Sequence, residues 1–167
     1  MSALLLKGGQ AAAARNERPA ARAAALAAGG VTPTLAVGRV GAREDDLAYE
    51  RGVLARCGKL GIGVRPFQLD AGAGQAQLLE VLDQINRDRT IHGCLLFRPL
   101  PAPMDDRAVR AASPPQKDGG GIPAPYLAGG VTGSGAGHRP CTAHASLAIL
   151  DHCGTPPHST AFAGAAP

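Results

Sequence analysis

Tryptophan is absent from this 167-residue chain, and aromatic residues together make up 3% of it. So little ring surface argues against a platform on which nucleic-acid bases stack. Basic runs are missing too. The 17 Lys and Arg stand against 13 Asp and Glu, and the arginines are scattered from Arg15 to Arg139. The net charge of +4 reads as solvated surface rather than as a phosphate-backbone footprint. It leaves room for an anionic small molecule. Leu4 to Leu6 are too few for a signal-peptide core, and no stretch approaches a membrane span. Cys57, Cys94, Cys141 and Cys153 are far apart, with no Cys-x-x-Cys, so neither a zinc ribbon nor a redox pair is signalled. These absences predict a cytoplasmic protein in a reducing setting, without nucleic-acid or membrane partners.

What is present suits a packed domain. Hydrophobic residues are 45% and charged residues 18%. The 23 glycines and 14 prolines stay just under the ~25–30% of a low-complexity chain. The length allows roughly one domain of ~100–200 residues.

An Ala-rich stretch over 10–30, closed by Gly29-Gly30, predicts a helix that Pro19 should kink or split. Thr34–Val40 reads as a buried strand. Asp45 and Asp46 are placed to cap a helix running to Lys59, with Leu47, Leu54 and Leu60 among its apolar positions and Gly61 ending it. A second strand is predicted over 62–69. An amphipathic helix follows over 75–89, with Leu78, Leu79, Leu82 and Ile85 on one face. The third strand is 91–97, stopped by Pro99-Leu100-Pro101. A short helix covers 105–112, and another covers 142–152, capped by Thr142 and ended by Gly154. A further short helix near Tyr126 and a fourth strand over 160–163 complete the reading. Strands separated by helices imply an α/β fold: three αβα layers around a mainly parallel sheet. Ligands of such sheets lie beyond the carboxyl ends of the strands. The segments after Val40, Leu69 and Phe97 should therefore rim a cleft.

Several constellations read as structural. Gly133-Ser134-Gly135-Ala136-Gly137 contains G-x-G, but no strand leads into it and no G-K-[ST] follows, so it reads as a surface loop. Cys141, His144, His152 and Cys153 share a short segment, but adjacent His152 and Cys153 diverge, and helix packing is preferred to metal. Asp105-Asp106 reads as a helix cap rather than an acid–base pair. Tyr49 follows the first strand on a helix. Half-buried packing and stacking on a flat heterocycle are both open to it.

Five strings then occur in order: VTPTLAVGRVG (31–41), YERGVLARCGKLGI (49–62), DQINRDRTIHGCLLFRPLP (83–101), SPPQKDGGG (113–121) and RPCT (139–142). Together they resemble the N-terminal catalytic domain of the bifunctional methylenetetrahydrofolate dehydrogenase/methenyltetrahydrofolate cyclohydrolase family. The resemblance implies a folate-binding catalytic domain over 1–155. It also implies a linker and the truncated start of an NAD(P)-binding Rossmann domain over 156–167. The family transfers hydride from 5,10-methylenetetrahydrofolate to NADP or NAD, then hydrolyses the methenyl bridge. No dinucleotide cofactor and no metal are expected for this chain alone.

The resemblance also fixes where the chain departs from the family. The family's Tyr is Tyr49, but its Lys, four residues on, is Val53. The glutamine that supports that Lys is Phe97. In the Lys-Asp-x-Asp-Gly string, Lys117 and Asp118 are kept and the second aspartate is Gly120. Valine neither donates a proton nor bears charge. The resemblance thus places Tyr49, Val53, Phe97, Pro99, Leu100, Asp118 and Gly120 around the substrate, with no catalytic residue intact. Arg56, three residues after Val53, is a candidate to hold a folate oxygen. It cannot act as a general base. Arg98 should point away from Phe97, and Asp118 reads as an outward-facing loop residue. The expected activity is below detection. The alternatives are a folate-type binding module without chemistry, and a dimer partner, as a homodimer or with a full-length homologue. Pro19, Gly52 and Gly58 predict a marginal fold.

Overall fold

The computed structural model describes residues 5–113, 116–118 and 141–155. Helices α1 (Gly8–Ala28), α2 (Glu44–Lys59), α3 (Gln75–Arg87), α4 (Asp106–Ala112) and α5 (Cys141–His152) surround strands β1 (Thr34–Val40), β2 (Gly63–Leu69) and β3 (Gly93–Leu96). The strands are all parallel, in the order β2-β1-β3. Thr34 pairs with Gly63 and Val40 with Leu69 on one side of β1, and Leu35 pairs with Gly93 on the other. The three-layer αβα reading holds.

Side chains of β1 alternate between the two faces, as strand geometry requires. Ala36 and Val40 join Leu78, Leu82 and Ile85 of α3 and Val109 of α4 in one buried cluster. Arg39, at the alternate parity, reaches α2 on the other face. The strand β2 lies at the sheet edge, which is why Pro66 is tolerated inside it.

Element ends differ from expectation for local reasons. Helix α1 continues through Pro19 as one element. A proline removes one helical hydrogen bond, and Pro19 is exposed, so water can serve the carbonyl left over. Helix α2 starts on Arg43 without a side-chain cap, and Asp45 and Asp46 fall inside its first turn, where carboxylates favour the positive helix end. Its buried residues are Glu50 and Cys57, while Leu54 is 43% exposed. Strand β2 begins at Gly63 and helix α3 ends at Arg87. Strand β3 spans four residues; buried Phe97 beyond it still donates its N–H to the Gly38 carbonyl of β1, whereas buried Ile91 bonds back to the Asp88 carbonyl in a turn. Asp105 caps α4, accepting from the backbone N–H groups of Arg107 and Ala108. Thr142 lies inside α5 and does not cap it. Gly61, with φ of 70°, closes α2 while the Ile62 N–H bonds the Cys57 carbonyl. The helix near Tyr126, the strand over 160–163 and the glycine-rich 133–137 lie outside the described residues.

Gly52 and Gly58 sit in α2 with open space where a Cβ would be, and neither has positive φ. Each glycine lowers helix stability by about 1 kcal/mol relative to alanine. The double variant Gly52→Ala/Gly58→Ala is therefore expected to gain about 1–2 kcal/mol in a thermal or urea melt. No gain would mean that α2 is held by its packing alone.

Candidate functional site

The carboxyl ends of the three strands meet two clefts. The first, about 370 Å³, is lined by Asp45, Asp46, Tyr49, Leu95, Leu96, Phe97 and Arg98. The second, about 290 Å³, is lined by Val40, Gly41, Ala42 and Arg43, by Ala71 beyond β2, and by Pro99, Leu100 and Pro101 beyond β3. The segments after all three strands thus form the rim. The order β2-β1-β3 puts the successors of β1 on both its sides, the arrangement in which parallel sheets open a crevice.

Tyr49 and Phe97 touch edge to face, with ring centroids 5.2 Å apart and planes inclined by 63°. Phe97 is buried, whereas Tyr49 is 59% exposed. A buried ring thus backs an open one, which leaves a Tyr49 face for a flat ligand. Val53 is half-buried, one turn beyond Tyr49 on the same helical face. Neither Val53 nor Arg56 lines the first cleft, and Arg56 is exposed.

Charged groups border the first cleft. Arg43 pairs with Asp45 and, at 3.6 Å, with Asp46. The Arg43 hydrogen bond holds the Asp45 carboxyl below the usual range, and the same bond raises Arg43. Arg98 follows Phe97 in the lining of this cleft, but its guanidinium points away, to the other face of the sheet, as expected. Phe97 meets Tyr49 of α2, whereas Arg98, at the parity of Cys94 and Leu96 in the buried cluster, reaches Asp106 of α4. Its guanidinium nitrogens are sealed from solvent and make no directed hydrogen bond. The ion pair with Asp106, which is shared with Arg110, balances its charge. Burial pushes Arg98 down, Arg110 adds to that, and Asp118 opposes it.

Asp118 is buried, contrary to the outward-facing reading. It forms a parallel bridge with Cys94, and the Cys94 N–H donates to the Lys117 carbonyl at 2.5 Å. That pairing draws residue 118 to the sheet. The Lys117 ammonium donates to the carbonyls of Ile85, Asn86 and Asp88 at 2.7, 3.0 and 2.7 Å. A cation so placed satisfies the orphan acceptors ending α3. Burial, with Asp118 nearby, pushes the Cys94 thiol up to about 11. Gly120 lies outside the described residues. Among the described residues no three His, Cys, Asp or Glu side chains converge as metal ligands, and no helix is long and apolar enough to cross a membrane.

Sequence reading missed a network beneath the cleft. Glu50 accepts from Arg39 Nε at 2.7 Å and from Gln68 Nε2 at 2.9 Å. Arg39 also donates to the Gly41 carbonyl. These bonds tie β1, α2 and β2 together just behind Tyr49. The available signal was an arginine inside the otherwise apolar TLAVGRV.

The layers and the clefts define an α/β domain whose clefts open at the carboxyl ends of its strands. The model of the tetrahydrofolate dehydrogenase/cyclohydrolase catalytic domain matches residues 6–119, and the chain belongs to that family. It is 40% identical over 123 residues to the bifunctional protein FolD of Alkaliphilus oremlandii, covering 74% of this chain and 43% of that protein. FolD of Bordetella avium is 39% identical over 135 residues, covering 81% of this chain and 47% of that protein. The chain therefore spans about half the length of these relatives. Among solved structures, the bifunctional dehydrogenase/cyclohydrolase of Thermoplasma acidophilum has a TM-score of 0.78 at 26% identity, covering 90% of this chain and 53% of that one. The Campylobacter jejuni FolD enzyme shares the fold, with a TM-score of 0.87 at 24% identity, covering 91% and 54%.

Proposed function

We propose that the cleft at Tyr49 and Phe97 holds the flat heterocycle of a tetrahydrofolate, and that this chain binds it without hydrolysing the methenyl bridge. The observation that carries the reading is the exposed Tyr49 ring backed by buried Phe97 at the strand ends, with aliphatic Val53 one turn on. Pro99 and Leu100 wall the adjoining cleft, which gives the rest of the ligand a surface. Family membership supports the substrate class.

Proton transfer to or from the bridge needs a group that titrates, within hydrogen-bond reach. Valine offers none, Arg98 stays protonated and engaged with Asp106, and the cleft carboxylates Asp45 and Asp46 are paired with Arg43. On this reading residues 1–155 form the folate-binding unit and 156–167 the start of a second unit. Hydride transfer to NADP or NAD is assigned to no described residue.

Titration calorimetry with 5,10-methenyltetrahydrofolate is expected to give micromolar binding. The absorbance of the methenyl bridge should decay at the buffer rate. Tyr49→Ala should weaken binding by up to about tenfold, the worth of one aromatic contact. Absence of heat would overturn the binding claim. Turnover above buffer would overturn the claim that no residue here performs the hydrolysis.

A further inference from the structure

A separate groove of about 830 Å³ runs along α1 at the opposite end of the sheet. Pro33 and Ile62 in its lining immediately precede β1 and β2, so it lies at the amino ends of the strands, a strand length from the Tyr49 cleft. Arg15, Arg18 and Arg22 form one wall. Spacings of three and four put them on one helical face. All three are exposed, and none makes a hydrogen bond or ion pair among the described residues. Glu17 is one and two residues from its arginine neighbours, a spacing that turns it away from them. The floor is apolar: Pro33 and Ile62 are half-buried, and Leu26 is 47% exposed.

We propose that this groove docks an acidic segment of another polypeptide, in which carboxylates recur at helical spacing beside apolar side chains. Charge complementarity argues for it. Three unpaired guanidinium groups in a row call for carboxylates in a row, and forked donors suit that partner. The arginine row is about 10 Å long, the length of two helical turns, so a single small anion engages only part of it. The apolar floor and the lack of any aromatic lining argue against a nucleic-acid strand, which wants rings to stack on. An amphipathic helix laid in a groove meets both features.

The test uses the full chain and a fluorescein-labelled helical peptide. The peptide carries Glu at positions i, i+3 and i+7, with Leu on the adjoining face. Anisotropy should show saturable binding that weakens with salt. Replacing the three Glu by Gln, or using the variant Arg15→Gln/Arg18→Gln/Arg22→Gln, should weaken it at least tenfold. Leu26→Ser should weaken it less. Glutamine matches arginine in helix propensity, so the variant should keep the parent's circular-dichroism melt and its binding of 5,10-methenyltetrahydrofolate. Equal binding by parent and triple variant would overturn the proposal. So would tighter binding of a single-stranded oligonucleotide, or self-association in sedimentation that the triple variant abolishes, which would make the occupant a second copy.

Discussion

Replacing Glu50 by alanine is expected to remove about 3–5 kcal/mol of folding stability, the range for breaking a buried ion pair from one side. The Glu50 side chain is 9% exposed and Arg39 11%, so neither charge can turn to bulk water. Truncation at 50 leaves the guanidinium buried with only the Gly41 carbonyl, and releases Gln68, whose exposed amide can bond water instead. At about 2–4 °C per kcal/mol for a chain of this size, the midpoint should fall by roughly 6–20 °C. Removing both charges is a different matter. Arg39→Met/Glu50→Leu deletes the pair and its desolvation penalty together, and should stay within about 1 kcal/mol of the parent. A double-mutant cycle in urea therefore separates the pair's net worth from the penalty of orphaning one member. If Glu50→Ala loses less than about 1 kcal/mol, water reaches Arg39 and the network does not brace the cleft.

The fold was legible wherever a repeating pattern met a clear stop. TLAVGRV between Pro33 and Gly41 gave β1 its bounds, and Leu78, Leu82 and Ile85 at helical spacing marked the buried face of α3. Ends were legible where they depend on one residue, as at Gly61 and Asp105, and less so where burial and pairing part company. Ile91 is as apolar as a strand asks, yet its N–H turns back to the Asp88 carbonyl and it lies outside β3. Helix α2 misled because its sheet-facing side carries a glutamate and a cysteine, while Leu54 faces solvent. Glu50 is buried because Arg39 on β1 and Gln68 on β2 wait for it, and such a long-range match leaves no local trace.

The candidate site divides along the same line. Tyr49, Phe97, Pro99 and Leu100 do border the clefts, because position relative to the strand ends is a topological property that element order conveys. Of the two charged neighbours, Arg98 was placed correctly and Asp118 was not. Arg98 keeps the alternation of β3 and reaches α4, whereas Asp118 is drawn in by backbone pairing with Cys94.

Restoring the lysine and its amide together is expected to raise methenyl hydrolysis about 10²–10⁴-fold above the parent, the usual worth of one general acid–base group. Val53→Lys alone should not do this. Its ammonium would lie half-buried near the Tyr49–Phe97 pair with no amide oxygen to accept a hydrogen bond from it, a cost of several kcal/mol that drives the chain toward unfolding. Phe97→Gln alone should destabilise by about 3 kcal/mol, since a buried ring and its edge contact with Tyr49 are lost, and should leave hydrolysis at the buffer rate. In the double variant each change supplies what the other lacks, so the effects on stability should be less than additive and the effect on rate far more than additive. The rate should also acquire a pH dependence with the titration of the new amine, a signature that a merely repacked cleft would not show. A folded double variant that binds 5,10-methenyltetrahydrofolate yet hydrolyses it no faster than buffer would mean that residue 53 does not face the bridge, and the ligand would have to be placed elsewhere along the strand ends.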